Sequence, residues 1–357
     1  MTERFYALAL YLVKGVGPIF YKKLVDYFKS PEEVFKVSVR DLTQIVPRNV
    51  AEAISHFNFK EAERHWKKAE NIGAQVIWYG DDHYPDALKN YDFSPPVLFV
   101  VGKEKYINFN AIAVVGTRKC TIYGKNVAYD FSFALAKSGF DIISGGARGI
   151  DTQAHKGAID AGGNTFAILG TGLDIIYPPE NRYIFEKIKE RGALISEFPF
   201  GTPPLKENFP KRNRIIASLS RGILVVEAGA KSGALLTAQW GIETGKEIYV
   251  VPGPITSPTS KGTNELIKKG AKPVTSPADI IADYGFITPK QEKERITSMS
   301  EDETRIYNIL DYVNPLHLDE LCERLEIPVT DLLPKLLKME MKGVITQLPG
   351  KFYVRSK

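Results

Sequence analysis

The residues best placed to do chemistry in this chain fall into three short clusters, and all three suit an anion. The first is Ser144-Gly145-Gly146-Ala147-Arg148-Gly149-Ile150-Asp151, between a strand-like run, Phe140 to Ile143, and a helix-like run starting near Thr152. Its glycines permit a tight turn and let bare backbone approach a ligand. Asp151 is of a type that caps a following helix. The free N–H groups and the dipole at such a strand-to-helix turn favour phosphate. The second cluster, Gly116-Thr117-Arg118, follows the strand-like run Ile112–Val115, so Arg118 is expected over the same sheet edge as Ser144. The third is Phe209-Pro210-Lys211-Arg212-Asn213-Arg214-Ile215-Ile216, where three cations open a helix. Cations at that end oppose the helix dipole, a conflict that an anionic partner relieves. Arg offers phosphate a planar fork, and Lys a point charge.

A fourth segment adds backbone donors: Ser232-Gly233 opens another helix after Val226-Glu227-Ala228-Gly229. Glu227 reads as a partner for a neighbouring Arg or a cap for a backbone N–H, with a catalytic carboxylate as the alternative. Taken singly, a Gly-rich turn is often a mere connection and a basic run a solvated face. Aimed together at one sheet edge, they point to a phosphate site.

Other chemistries find less support. Neither Gly-rich turn gives G-x-G-x-x-G, and G-x-x-x-x-G-K-[ST] is absent, so no nucleotide cofactor is expected. Histidines at 56, 65, 83, 155 and 317 are scattered, and only His155 falls near the phosphate cluster, in a structural role. No metal-ligand set or Ser/His/Asp arrangement is evident, so metal and catalysis are not expected. Cys120 and Cys322 form no motif, which fits a reducing compartment. The N-terminal run is too short for a membrane span and has no cleavage pattern. A soluble cytoplasmic protein is expected. The net charge of +5 permits a polyanionic partner without demanding one.

Positioning the clusters takes three regions in 357 residues. Residues 1–70 read as short helices, with Ser30 capping a helix that has Pro31 in its first turn. Gly15-Val16-Gly17 resembles a helix-hairpin-helix turn, although Tyr21 stands where that motif usually has a small residue. Residues 71–287 alternate eight apolar runs, from Gln75–Tyr79 to Glu247–Val251, with amphipathic stretches, among them Lys125–Ser138, Thr152–Ala161 and Arg212–Ser220. That alternation predicts an α/β domain, a parallel sheet with helices on both faces. Its ligand is then expected beyond the carboxyl ends of the strands. Residues 288–300 read as a linker. Residues 301–357 give three helices and a hairpin, the layout of a winged helix.

Read in order, these segments resemble the DNA-processing protein A (DprA/Smf) family. The likeness rests on Gly116-Thr117-Arg118 with Tyr123-Gly124, Ser144–Asp151 with Ala154-His155, and Leu169-Gly170-Thr171-Gly172-Leu173-Asp174 with Tyr177-Pro178. Ser196-Glu197, Phe209–Ile216, Val226-Glu227-Ala228, Ser232-Gly233, Val251-Pro252-Gly253 and Gly262-Thr263-Asn264 continue it. The match spans about residues 75 to 280, and the flanks fit by layout, as a sterile-alpha-motif-like or helix-hairpin-helix region and a winged helix. The resemblance implies an extended Rossmann-like domain that binds single-stranded DNA without chemistry and without sequence preference. It also implies a homodimer that protects incoming strands in natural transformation and helps load a RecA-type recombinase. Carried onto this chain, the DNA-binding set is Arg118, Ser144, Gly145, Gly146, Arg148, Phe209, Lys211, Arg212, Asn213, Arg214, Ser232 and Gly233. The rival reading is a nucleoside-monophosphate hydrolase of the lysine-decarboxylase-like type, with Glu227 or Glu243 as its carboxylate. Against it, the chain has Ala228-Gly229-Ala230-Lys231-Ser232-Gly233 near the place of that family's P-G-G-x-G-T run.

Overall fold

A computed structural model describes residues 2–103, 110–285, 300–311, 315–342 and 344–355. They fall into two compact units, Met1–Pro277 and Ala278–Lys357. The first begins with helices α1 (Glu3–Leu12), α2 (Pro18–Phe28), α3 (Arg48–Ser55) and α4 (Phe59–Asn71). Ser30 does cap the short helix Pro31–Val34, accepting from the Glu33 N–H at 3.2 Å. Tyr21 is fully buried and donates its hydroxyl to Ala7 O, so its size serves the core.

Nine strands follow: β1 (Gln75–Trp78), β2 (Val97–Gly102), β3 (Ala111–Val115), β4 (Asp141–Ser144), β5 (Thr165–Leu169), β6 (Ala193–Ser196), β7 (Gly222–Val225), β8 (Glu247–Val250) and β9 (Lys272–Pro273). From β3 to β8 each strand leads into a helix: α5 (Ile122–Lys137), α6 (Ile150–Asp160), α7 (Arg182–Arg191), α8 (Asn208–Leu219), α9 (Gly233–Glu243) and α10 (Lys261–Lys268). The sheet order is β1-β2-β6-β5-β4-β3-β7-β8-β9. Pairings from β6 through β9 are parallel, whereas β1 and β2 pair antiparallel at one edge. The expected parallel sheet is therefore mixed.

Side-chain alternation explains how the sheet is covered. Val76, Trp78, Val97 and Phe99 face one core, shared with Leu8, Leu10, Tyr21 and Leu24 of the leading helices. Ile77, Leu98 and Val100 face the other, shared with Ile215, Ile216 and Leu219 of α8. The first core crosses residue 70, so the leading helices belong to the same compact unit as the sheet. Strands β3, β4 and β5 are covered on both faces, which is why they read as continuous apolar runs. The chain winds from β3 to β6 on one side, then returns to lay β7, β8 and β9 on the other. Between β3 and β7 the strand order reverses, and their carboxyl ends open a crevice there.

The second unit holds α11 (Glu301–Ile309), α12 (Leu318–Leu325), α13 (Val329–Met341), and strands β10 (Leu316–His317), β11 (Ile345–Leu348) and β12 (Phe352–Arg355) in the order β10-β12-β11. A capping box joins Ser300 and Glu303 at the start of α11. Its core gathers Ile306, Leu318, Leu321, Leu332, Leu336 and Tyr353. This is the expected winged-helix layout, with β10 added. Of the expected linker, 288–300, all but Ser300 lies outside the described residues.

Candidate nucleic-acid interface

At the crevice between β3 and β7 lies an open cleft of about 670 Å³. The turn after β3 contributes Gly116, Thr117, Arg118 and Lys119, and the turn after β4 contributes Ala147. Lys206, Phe209 and Pro210 come from the start of α8 and the loop before it, and Ser232, Gly233 and Leu236 from the start of α9. Arg118, Lys119 and Lys206 are exposed. The Arg118 guanidinium lies 4.8 Å from the centre of the Phe209 ring. Such a contact holds a cation without neutralising it. Phe209 in turn meets Tyr177, with ring centres 5.8 Å apart, and packs against Gly170, where any Cβ would clash with its ring. The result is an aromatic platform flanked by cations that form no ion pair among the described residues, with the buried Asp151 carboxylate, already engaged by Ala147 and Arg212, at the edge of the same lining.

Beneath this lining is a rigid frame. A Cβ at Gly149 would fall 2.5 Å from Thr117 O and 2.8 Å from Arg118 O, so only glycine lets the turns after β3 and β4 touch. A Cβ at Gly145 would fall 2.5 Å from the Arg212 guanidinium and 2.6 Å from the Asp151 carboxylate. Arg212 is buried and donates to Gly145 O at 2.6 Å and to Ile168 O, tying β4 to β5. Burial lowers its guanidinium to about 10, and pushes the Asp151 carboxyl up against the pull of Arg212. Asp151 accepts from the Ala147 N–H at 3.3 Å, and the Ile150 N–H goes to Thr117 O. Two donors of the Gly-rich turn are thus already taken. Asp151 is also not the cap: Gly149 holds that position, and Asp151 sits inside the first turn of α6.

His155, one turn further on, is fully buried. The Thr165 hydroxyl gives its proton to Ile142 O at 2.9 Å, so His155 Nδ1 donates to Thr165 Oγ1 at 2.7 Å. Burial drives the imidazole down to about 3, and it stays neutral. It is a structural histidine. Glu227 is also spent on structure. It is buried and accepts from the Thr121 N–H at 2.9 Å and the Thr121 hydroxyl at 2.6 Å, capping the entry to α5.

Comparison with known proteins settles the relationship. The family model described as DNA recombination-mediator protein A matches residues 75–285, and the DprA winged helix domain matches 289–351. The chain is 34% identical to Protein Smf of Synechocystis, with 99% of each chain covered, and 39% identical to Protein Smf of Escherichia coli over 80% of this chain and 78% of that one. The chain belongs to the DNA processing protein A family. The crystal structure of DNA processing protein A from Streptococcus pneumoniae superposes with a TM-score of 0.70 at 33% identity, covering 80% of this chain and 99% of that one. The Helicobacter pylori family member, described for its single-stranded DNA binding mode, superposes at 0.54 with 30% identity over 59% of this chain and 95% of that one.

For this family member, the structure redistributes the residues that the sequence pointed to. Arg118, Phe209, Arg212, Asn213, Ser232 and Gly233 line the cleft. Within that set Arg212 is a buried brace, so direct phosphate contact through its guanidinium is corrected to a framing role. Asn213 spends its amide on Gly233 O at 3.2 Å, and Ser232 caps α9 by accepting from the Ala234 N–H. Gly145, Gly146 and Ser144 are buried beneath the surface, and the Ser144 hydroxyl donates to Val114 O at 2.6 Å. The expectation that these three contact the DNA backbone is corrected: they shape the floor. Arg148 is exposed but paired with Glu180 and outside the cleft lining.

Arg214 is corrected most. It is buried in a two-pronged pair with Glu197, at 2.5 and 2.6 Å, and donates to Phe93 O at 3.0 Å and Lys211 O at 2.6 Å. Lys211 is exposed, but it lines a different groove. Helical periodicity carried a signal for Arg212, because Ile215, Ile216 and Leu219 stand three, four and seven positions on and form the core face. Lys119 and Lys206, also in the cleft lining, were not singled out from sequence, and Tyr177 entered only through the family likeness and not as a binding residue. Lys206 follows Pro203-Pro204 in an exposed loop, the kind of position where binding residues concentrate.

In the second unit, Lys335 and Lys338 of α13 and Lys342 at its C-cap meet acids of α11. Lys335 pairs with Asp302 at 2.5 Å, Lys342 with Glu303 at 2.7 Å, and Lys338 lies 3.6 Å from Glu303. Among what α13 leaves exposed is an apolar stripe, Val329, Leu333, Leu337 and Met341.

Proposed function

We propose that this chain binds single-stranded DNA through the cleft at the β3–β7 crevice, without chemistry and with little preference for sequence. The observation that carries the reading is Arg118 held over Phe209 with Lys119 and Lys206 beside them. Exposed cations without an ion-pair partner among the described residues meet phosphates, and an aromatic face stacks bases whatever their identity. A duplex keeps its bases stacked internally and cannot use that platform. The name of the Helicobacter pylori relative's structure, which specifies single-stranded DNA binding, supports the same ligand. Binding without turnover is favoured by the loss of Glu227 to the Thr121 cap, since that carboxylate was a candidate for nucleotide chemistry.

In the cell, this activity suits protection of incoming strands during natural transformation and their delivery to a RecA-type recombinase, with the chain acting as a homodimer in the cytoplasm. No helix among the described residues is long and apolar enough to cross a membrane. The test is a salt-titrated comparison of single- and double-stranded oligonucleotides, with molar mass measured alongside. Single strands should bind more tightly, with affinity falling linearly in log–log form as counterions are released. Equal affinity for both forms overturns the reading, as does release of free base from a nucleoside monophosphate. Faster recombinase assembly on protein-bound strands tests the delivery step.

A further inference from the structure

The cleft has a neighbour. On the other side of the loop before α8 lies a second groove of about 660 Å³, between the leading helices and the sheet. The two share the segment 198–211: Phe198 to Thr202 and Lys211 line the second groove, while Pro204, Lys206, Phe209 and Pro210 line the first. Opposite Lys211, the second groove is walled by Glu61 and His65 of α4. Its floor carries the Arg214–Glu197 pair, which is neutral as a unit.

Helix α4 bears a charge pattern that its packing does not require. Lys60, Arg64, Lys67 and Lys68 stand at i, i+4, i+7 and i+8, one face of a helix. All four are exposed, while Ala62 and Ala69 on the opposite side are buried. Lys68 reaches Asp174 at 3.2 Å beside Gly201, at the rim of the groove. Lys60, Arg64 and Lys67 form no ion pair among the described residues. The acids of α4 border this face without pairing to it among the described residues: Glu61 on the groove side, Glu63 on the other edge, and Glu70 held by the Trp66 indole at 2.9 Å. The stripe covers about 12 Å at 1.5 Å per residue, long enough for two or three phosphates of an extended strand.

Resting on the single-strand reading, we propose that DNA leaving the Arg118 cleft crosses the loop at Pro203–Pro210, enters the second groove at Lys211 and continues along the basic face of α4. The helical N-terminal region is then part of the DNA path, and the binding footprint is longer than the cleft alone.

The test compares the full chain with Arg64→Glu/Lys67→Glu and, separately, with Lys211→Ala, using oligothymidylates of increasing length at several salt concentrations. The unaltered chain should gain affinity as the oligonucleotide outgrows the cleft. Both variants should keep its affinity for the shortest binding oligonucleotide and lose roughly fivefold to tenfold on the longest, with the salt slope reduced by about 0.7 per lost phosphate contact. Arg64→Gln/Lys67→Gln repeats the test without reversed charge, and thermal melting confirms that each variant folds. Variants that match the unaltered chain at every length overturn the path, while Arg118→Ala still decides the cleft on its own. A variant that loses short and long oligonucleotides equally also overturns it, because the stripe would then act through the fold.

Discussion

Two helical segments of this protein, α8 and α13 with its cap Lys342, carry three basic residues each, and neither offers all of them to a ligand as its sequence advertises. In α8, Lys211, Arg212 and Arg214 form the densest cationic run in the sheet domain, yet Arg212 braces two strands and Arg214 is locked to Glu197. In α13, Lys335, Lys338 and Lys342 sit where a winged helix would meet a groove, yet each meets Asp302 or Glu303. Within the cleft, the cations left for a ligand are the scattered ones, Arg118, Lys119 and Lys206, each in a loop. A helix that packs on a core must pair or satisfy the charges it buries, because an isolated charge in the interior is costly. A loop at the surface carries no such obligation. At this cleft, charge density along the sequence therefore marks where charge is managed, and the loops show where it is offered.

Breaking the buried arm of that comparison should give the largest effect. Glu197→Ala leaves Arg214 uncompensated in the interior, and a loss of about 3–5 kcal/mol in stability is expected from chemical denaturation. A loss below roughly 1 kcal/mol, the range of a surface pair, would mean that Arg214 finds water or an anion instead. Next come the exposed residues. Phe209→Ala should lower single-strand affinity by about 1–3 kcal/mol, the worth of a stacked base, and Arg118→Ala should weaken it comparably, with unchanged melting temperatures. Unaltered binding by both at low salt would remove the cleft from the account.

His155 probes the frame by pH. Its folded-state value, about 3, lies below the ordinary 6.5, so the unfolded chain takes up the proton first as pH falls. The contribution is complete above about 6.5 and declines as pH drops toward 3. Between pH 6.5 and 5 the loss is roughly 1–2 kcal/mol from this residue, read as a denaturation midpoint that falls less in His155→Gln. An equal fall in both proteins would show that the imidazole reaches solvent. The smallest effect is expected at α13. Lys335→Gln/Lys338→Gln/Lys342→Gln should change duplex and single-strand affinity less than twofold, because the pairs are internal. A tenfold loss would show that DNA displaces Asp302 and Glu303, and would erase the contrast between the helices.

Much of the architecture was legible in the residues. The apolar runs Gln75–Tyr79 and Glu247–Val251 are the strands β1 and β8 to within one residue, and Ile112–Val115 is β3 without Ala111. Period-two and period-3.6 patterns are local, so they survive without tertiary information. The short edge strand β9 and the bridge strand β10 were not, because two residues carry no period. The antiparallel edge of β1 and β2 was missed for another reason: strand direction depends on pairing partners far away in sequence.

The site divides the same way. From sequence alone, a phosphate-facing crevice at the ends of β3 and β4 followed from Arg118, the glycines of the turn and the α/β alternation. Those features depend on backbone conformation and chain order, which neighbouring residues dictate. Which cations face the crevice was decided only by the tertiary structure. Arg212 and Arg214 differ from Lys119 and Lys206 in what surrounds them, in Gly145 O, Ile168 O and Glu197 against open solvent. A charged side chain is committed or free according to partners that only the folded chain brings within reach.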